Sequence, residues 1–262
     1  MQPLTTLEFT RDAGIARITL NRPEAANGLD ITMARELLQL SIECRGDPAV
    51  RAVLLDARGR MFCAGGDLKS FVAHQARLHA YVKELTTYLH AAIANFARMR
   101  APLIAAVQGP AAGAGFSMVC CADLVLAARS AKFAMAYTGA GLVPDGSSSY
   151  FLPRVVGLRR TQELMLTNRR LSAEEAHAWG IVTRVVDDEA LAGEARDLAL
   201  QLATGPTGAF AAVKKLLAES FDSTLETQME HESTAIAEAA ISADGLEGVA
   251  AFFAKRPPRF EG

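Results

Sequence analysis

The sequence predicts a layered α/β fold, and two patterns lead to that prediction. In the first 145 residues, short apolar runs of strand length alternate with segments whose apolar residues recur at helical spacing. After about residue 145 the pattern is almost entirely helical. Alternation of strands and helices is typical of a sheet covered by helices, and a helical tail must pack on that core or on another subunit.

Each element follows from local sequence. The predicted strands are the apolar runs Ile15–Leu20, Ala52–Leu55, Leu103–Val107 and Leu124–Ala127. Residues 31–44 have helical spacing, and Asp30 is the predicted N-cap of that helix. In the second half only residues 181–186 predict a strand, and Thr204-Gly205-Pro206 ends one helix and begins the next. We therefore expect an α/β core over residues 1–200 and a helical region over residues 201–262.

Size and composition exclude several classes of function. The chain has 262 residues, of which 50% are hydrophobic and 21% charged, and its formal net charge is −2. This composition is that of a globular protein and gives no reason to expect nucleic-acid binding. Residues 103–128 are apolar, but Gln108, Pro110 and Asp123 interrupt them, so we expect no membrane span.

The N-terminus and the cysteines indicate a cytoplasmic protein. The start, MQPLTTLEFTRDAG, has neither a basic segment nor an apolar stretch, so no signal peptide is expected. Two of the four cysteines, Cys120 and Cys121, are adjacent within an apolar run, which predicts packed thiols. No spacing among the four suggests a zinc site, and reduced thiols are expected. The five histidines form no ligand motif, and no metal is expected.

Residues 103–128 are the most informative segment. The predicted strand stops at Gln108–Gly109, a loop of small residues ends in Gly113-Ala114-Gly115, and a second apolar run begins at Phe116. The pattern indicates a buried strand, a tight turn and the start of a helix, where backbone N–H groups have no partner. Such a turn suits a phosphate or a reaction oxyanion, but it also occurs as a packing device alone.

A second small-residue turn follows another predicted strand. After Ala52–Leu55 the chain becomes polar at Asp56 and reaches the sequence FCAGGDL at residues 62–68. If the two turns lie side by side at the ends of neighbouring strands, each supplies an N–H donor to the same oxygen. That arrangement is an oxyanion hole.

Several ordered motifs resemble the crotonase (enoyl-CoA hydratase/isomerase) superfamily. They are FCAGGDLK, AAVQGPAAGAG, AKFAMAYTGAGLVPDGSSSYFLPRVVG, LNRPEAANGLD, LSAEEAHAWGIVTRVV and EGVAAFFAKRPPRF, and together they span nearly the whole chain. The resemblance implies a crotonase-like spiral of ββα turns with a C-terminal helical trimerisation region. It also implies a homotrimer or a dimer of trimers.

The resemblance further implies an acyl-CoA substrate and no permanently bound cofactor. The thioester oxygen would accept hydrogen bonds from the N–H groups of Gly66 and Ala114. Residues implied in substrate or CoA binding are Ala25, Ala26, Ala64, Asp67, Leu68, Lys69, Tyr137, Phe252 and Lys255, the last two in the chain's own or a neighbouring subunit. Lys69 and Lys255 are equally consistent with solvated surface lysines.

This sequence departs from the hydratases of the family at two positions. Hydratases carry a pair of glutamates where this chain has Ser117 and Tyr137, and paired carboxylates are what water addition needs. One acidic residue remains nearby, Asp145, at a position where related isomerases and 4-chlorobenzoyl-CoA dehalogenase use a carboxylate. Its alternative role is a helix N-cap after Pro144. His90 falls where the dehalogenase has its base, although a lone histidine on a helix is usually packed or solvated.

Three functions follow from these residues. The first is an enoyl-CoA isomerase-type proton shift with Asp145 as base, like that of phenylacetate-pathway isomerases. The second is hydratase, dehalogenase or hydrolase-type chemistry that uses Asp145, with His90. The third is a non-catalytic crotonase-fold protein that binds acyl-CoA.

Overall fold

The computed structural model describes residues 3–262, and strands and helices alternate through its first half. The strands are β1 (Leu7–Asp12), β2 (Ile15–Leu20), β3 (Ala52–Ala57), β4 (Leu103–Val107), β5 (Ala111–Ala112), β6 (Leu124–Ala128), β7 (Lys132–Ala134), β8 (Leu171–Ser172) and β9 (Arg184–Val186). The helices are α1 (Ile31–Gly46), α2 (Leu68–Ala73), α3 (Leu78–Arg98), α4 (Ala114–Cys120), α5 (Ser148–Val156), α6 (Leu158–Thr167), α7 (Ala173–Ala178), α8 (Leu191–Ala203), α9 (Thr207–Glu219), α10 (Leu225–Ile241) and α11 (Ala243–Phe253).

The strands form two sheets between which the chain alternates. The larger sheet has the order β1-β2-β3-β4-β6-β9, and the smaller has the order β5-β7-β8. The chain passes from β4 in the large sheet to β5 in the small one and into α4, and then from β6 to β7 in the same way. This repetition is the predicted spiral of ββα turns, and the α/β, crotonase-like fold class is confirmed.

The four strands predicted in the first half are all present. They are parallel to one another in the large sheet, and β4 is buried along its whole length, which explains its continuous apolar run. The edge strand β1 was not predicted, because half of its sequence LEFTRD is exposed and it lacks an apolar run. The helix predicted over 31–44 is α1, and the Asp30 side chain accepts a hydrogen bond from Met33 N–H at 2.8 Å.

Two predicted boundaries differ from the structure. Helix α4 begins at Ala114, two residues before the apolar run, because Gly113 adopts a positive φ of 51° and turns the chain into the helix. The strand predicted over 181–186 is formed only by Arg184–Val186. Ile181 and Val182 precede that strand and are buried in the core, so burial and not strand pairing explains their apolar character.

Two apolar layers enclose the large sheet. One face packs on α1, α3 and α4, and the other packs on α8, which crosses residue 200. Helix α9 begins at Thr207, directly after the predicted break, and is attached to the core by Lys214. The Lys214 ammonium lies 2.7 Å from the Asp123 carboxylate and donates to the carbonyls of Phe96 and Ala101. No helix within residues 3–262 has the length and apolar character needed to cross a membrane.

Candidate active site

The two small-residue loops lie against each other at the ends of β3 and β4. Ala112 N–H donates to Cys63 O at 2.8 Å, and Cys63 pairs with Ala111 as a parallel bridge. A Cβ on Gly65 would lie 3.3 Å from Ala114 N, and one on Gly115 would lie 2.5 Å from Cys63 O. Only residues without side chains allow this approach, which is the physical reason for the glycines.

The loops present two backbone donors without acceptors. Within the described chain, no acceptor lies within hydrogen-bonding distance of the N–H groups of Gly66 and Ala114, whereas their neighbours Asp67 and Gly113 donate to Leu29 O and Ala134 O. Ala114 is the first residue of α4, and its φ is not positive, so alanine serves there as well as glycine. The sequence-predicted pairing of the two turns is therefore present, with an unpaired donor in each.

Residues predicted to bind CoA surround the first loop. Ala64 N–H donates to Ala26 O at 3.0 Å, which places the short 3-10 turn Pro23–Ala25 beside the loop. Ala64, Leu68 and Lys69 are exposed next to that turn. Five of the predicted residues, Ala25, Ala26, Ala64, Leu68 and Lys69, are thus brought together at one rim.

Asp67 holds this rim in shape. Its carboxylate caps α2 by accepting from the N–H groups of Lys69 and Ser70, and it lies 3.2 Å from Arg22 Nη2. Burial raises the pKa of Asp67, but the hydrogen bonds from Arg22 and Ser70 outweigh burial, and the net pKa is lowered. Arg22 also donates to Gly28 O at 2.6 Å, so one guanidinium ties both sides of the rim together. Sequence reasoning did not single out Arg22, although it lies within a quoted motif.

Hydrogen-bonding contacts join the side chains of Ser117, on α4, Tyr137 and Asp145 in that order. Tyr137 Oη donates to Asp145 Oδ1 at 2.7 Å, and Ser117 Oγ lies 3.1 Å from the same hydroxyl. Burial and the Asp145 charge raise the pKa of Tyr137, so its hydroxyl stays protonated and donates. Asp145 is not a helix N-cap: α5 begins at Ser148 with Ser147 as its N-cap. The Asp145 carboxylate therefore contacts Tyr137 and His90 and does not cap the helix.

His90 reaches the same carboxylate from α3. Its Nε2 lies 3.3 Å from Asp145 Oδ2 and 3.2 Å from Gly146 N. One nitrogen makes only one of these hydrogen bonds at a time: as an acceptor it bonds Gly146 N–H, and as a donor it bonds the Asp145 carboxylate. The two side chains are 49% and 27% exposed, which leaves both accessible to a substrate.

The single chain does not bring Phe252 and Lys255 to this group. Phe252 is 79% exposed and packs edge-on against Phe253, with ring centroids 5.8 Å apart. Lys255 N–H donates to Phe252 O, and its side chain is exposed. Within residues 3–262, no group of three or more His, Cys, Asp or Glu side chains is arranged to hold a metal ion.

Comparison with known proteins identifies the family to which the chain belongs. The sequence profile of the enoyl-CoA hydratase/isomerase family matches residues 10–262. The chain is 40% identical over 252 residues to 1,2-epoxyphenylacetyl-CoA isomerase of Escherichia coli K12, with 96% of each chain covered. It is 37% identical over 222 residues to 4-chlorobenzoyl coenzyme A dehalogenase-2 of Arthrobacter sp., covering 84% of this chain and 80% of the relative.

Solved structures show the same likeness. The enoyl-CoA hydratase/isomerase from Cupriavidus metallidurans CH34 superposes with a TM-score of 0.91 at 35% identity, covering 100% of this chain and 98% of that one. The match therefore extends over the α/β core and the C-terminal helices alike. The chain belongs to the enoyl-CoA hydratase/isomerase (crotonase) family and is an enzyme of acyl-CoA chemistry.

Proposed function

We propose that the protein is an enoyl-CoA isomerase in which Asp145 moves a proton along the acyl group of a CoA thioester. The observation that supports this most directly is the contact of Tyr137 with both Asp145 and Ser117. This group presents one carboxylate where water addition by the family's hydratases uses a glutamate pair. A 1,3 proton shift needs only one base, because that base returns the proton that it removes.

The backbone donors supply the other half of the reaction. In the proposal the thioester oxygen accepts from Gly66 N–H and Ala114 N–H. When Asp145 removes a proton from carbon, the electron pair moves toward that oxygen and forms an enolate. The donors are fixed before the reaction and gain strength as the oxygen becomes negative. One such donor contributes on the order of 3 kcal/mol to the barrier in other enzymes.

Tyr137 prepares the carboxylate in this proposal. Its hydroxyl donates a hydrogen bond to Oδ1 of Asp145, so Oδ2 of Asp145 would accept the proton from the substrate carbon. The raised pKa of Tyr137 keeps it a donor throughout the cycle. Ser117 contacts the hydroxyl of Tyr137 and acts through it as a positioning residue.

The test is to incubate the pure protein with 3-enoyl-CoA and 2-enoyl-CoA thioesters and to follow ultraviolet absorbance and mass together. An isomerase brings the double bond into or out of conjugation without a change in mass. Gain of one water would instead indicate a hydratase. Binding without any change in absorbance or mass would indicate the non-catalytic acyl-CoA-binding protein and overturn the proposal.

One observation favours a second candidate, hydrolytic displacement of the dehalogenase type. His90 Nε2 lies 3.3 Å from Asp145 Oδ2 and 3.2 Å from Gly146 N, next to the carboxylate that would form the ester. Asp145 would attack a substrate carbon, expel the leaving group with its electron pair and form an aryl ester. His90 would then take a proton from the water that hydrolyses this ester. In His90→Gln the ester would accumulate and add the acyl-CoA mass, less the leaving group, to the protein, which mass spectrometry detects.

We further propose a homotrimer or a dimer of trimers. Helices α9–α11 expose large apolar side chains to solvent in the single chain: Val213, Leu217, Met229, Ile236, Val249, Phe252 and Phe253. Apolar surface of this extent is typical of an interface. An adjacent subunit would then contribute Phe252 and Lys255 to a CoA site that the single chain leaves incomplete.

A further inference from the structure

A cavity of about 340 Å³ opens beside His90 and runs between α3, α5 and α9. Helix α3 lines it with His90, Ile93, Ala94 and Ala97, a spacing that places all four on one face. His90 lines the cavity and also lies 3.3 Å from Asp145 Oδ2, so the cavity lies next to the candidate catalytic carboxylate. No residue of the Gly66 and Ala114 loops lines it.

The lining is apolar along α3 and α5, and its exposed cation, Arg98, also borders a neighbouring cavity lined by Glu219 and Asp222. Ile93, Ala94, Ala97 and Phe151 offer only hydrocarbon, and the alanines keep the space open. Arg98 completes the α3 wall, eight residues beyond His90, or about 12 Å along a helix. Within the described residues, no carboxylate lies within ion-pair distance of the Arg98 guanidinium. Glu219, on the α9 side, lies instead 3.3 Å from His231.

We infer that this cavity receives the distal part of the acyl group and that Arg98 selects acyl-CoA thioesters ending in a carboxylate. The inference rests on the proposed function, since it needs the thioester at Gly66 and Ala114. An apolar passage holds the methylene chain, and an arginine binds a terminal carboxylate through two parallel N–H donors. Arg154 lies 3.6 Å from the centroid of the Tyr150 ring, so the ring face of Tyr150 is occupied by Arg154 and not by Arg98.

The test compares saturated acyl-CoA thioesters, which are not turned over, by titration calorimetry. Each pair consists of two acyl-CoA thioesters of equal chain length, one ending in a methyl group and one in a carboxylate. The acyl chains would have roughly six to ten carbons, to span the distance of about 12 Å along α3 between His90 and Arg98. The wild type should bind the carboxylate-ended member about fivefold tighter at low salt, and the preference should shrink as salt is raised, because Arg98 is exposed.

Two variants and a control distinguish the effect of the Arg98 charge from the effect of the cavity volume. Arg98→Gln should remove the preference and leave binding of the methyl-ended thioester unchanged. Ala97→Leu should weaken both long thioesters by at least about tenfold while short butyryl-CoA still binds. Arg100→Gln, an exposed arginine outside this cavity, should behave as wild type.

The outcomes distinguish this inference from the function on which it rests. Equal affinity for the two ends in wild type, or a preference that survives Arg98→Gln, overturns the role of Arg98. Unchanged long-chain binding in Ala97→Leu overturns the cavity as the acyl site. If not even butyryl-CoA binds, the proposed acyl-CoA site itself fails, and the inference fails with it.

Discussion

The hydroxyl of Tyr137 donates to Oδ1 of Asp145 at 2.7 Å and joins two residues that occupy different turns of one loop. This contact gives both residues a role that neither has alone. In the proposed mechanism Tyr137 is the residue that orients the Asp145 carboxylate. The first two predictions concern this pair.

Substitution of Asp145 by Asn keeps the shape of the side chain and removes the proton acceptor. We expect isomerase turnover to fall by at least about 100-fold, the usual scale of general acid–base help, while acyl-CoA binding persists. Steady-state kinetics and calorimetry on the same preparation measure the two effects. Near-normal turnover would remove Asp145 from the chemistry.

The raised pKa of Tyr137 predicts a dependence of stability on alkaline pH. An unfolded tyrosine has a pKa of about 10, and burial and the Asp145 charge raise the pKa in the folded protein. The associated stability is therefore complete below about pH 10 and is lost as the pH rises above it. Urea denaturation at about pH 8 and about pH 10.5 should show a larger loss for wild type than for Tyr137→Phe. Equal losses would contradict the assignment of a partly buried, protonated phenol.

The Ala114 amide is tested by removing its hydrogen. Ala114→Pro loses the N–H, yet proline is accepted at the first position of a helix, so the protein should fold normally and lose activity by about 10²–10³-fold. Ala114→Gly is the matched control and should remain active. Circular dichroism shows whether the fold is kept, and an active proline variant would exclude Ala114 as an oxyanion donor.

Hydration of crotonyl-CoA should be slow or absent. The resemblance to the family implies that Ser117 and Tyr137 stand where hydratases carry the two glutamates, and the Tyr137 hydroxyl donates to Asp145. The fall in absorbance that accompanies loss of the conjugated double bond measures the rate. Rapid hydration would show that Asp145, alone or with His90, activates water.

The exposed apolar faces of α9–α11 predict an oligomer. Light scattering on the intact protein should give the mass of three or six chains. Phe252→Asp should weaken that assembly, because it would bury an unpaired charge, and the exposed Val72→Asp should leave the assembly intact. A monomeric wild type with full activity would contradict a shared CoA site.

Local sequence was sufficient for much of the fold. The continuous apolar run of β4 and the N-cap at Asp30 each depend on residues close together in the chain, and the structure has both. The paired small-residue loops were also predictable, since parallel neighbouring strands end at the same edge of a sheet. The motifs shared with the crotonase family identified the candidate base Asp145 before its surroundings were known.

Other features depend on contacts between residues that are far apart in the sequence, and the local pattern of apolar and polar residues does not predict such contacts. The edge strand β1 exists because β2 offers it a hydrogen-bonding partner, not because its own sequence is apolar. Arg22 meets Asp67 across 45 positions, and His90 meets Asp145 across 55. The sequence by itself determined which elements form and which residues have the chemistry. Only tertiary packing decided that Tyr137 and His90 share one carboxylate and that Arg98 lines a cavity, because side chains far apart in sequence become neighbours only when the helices pack on the sheet.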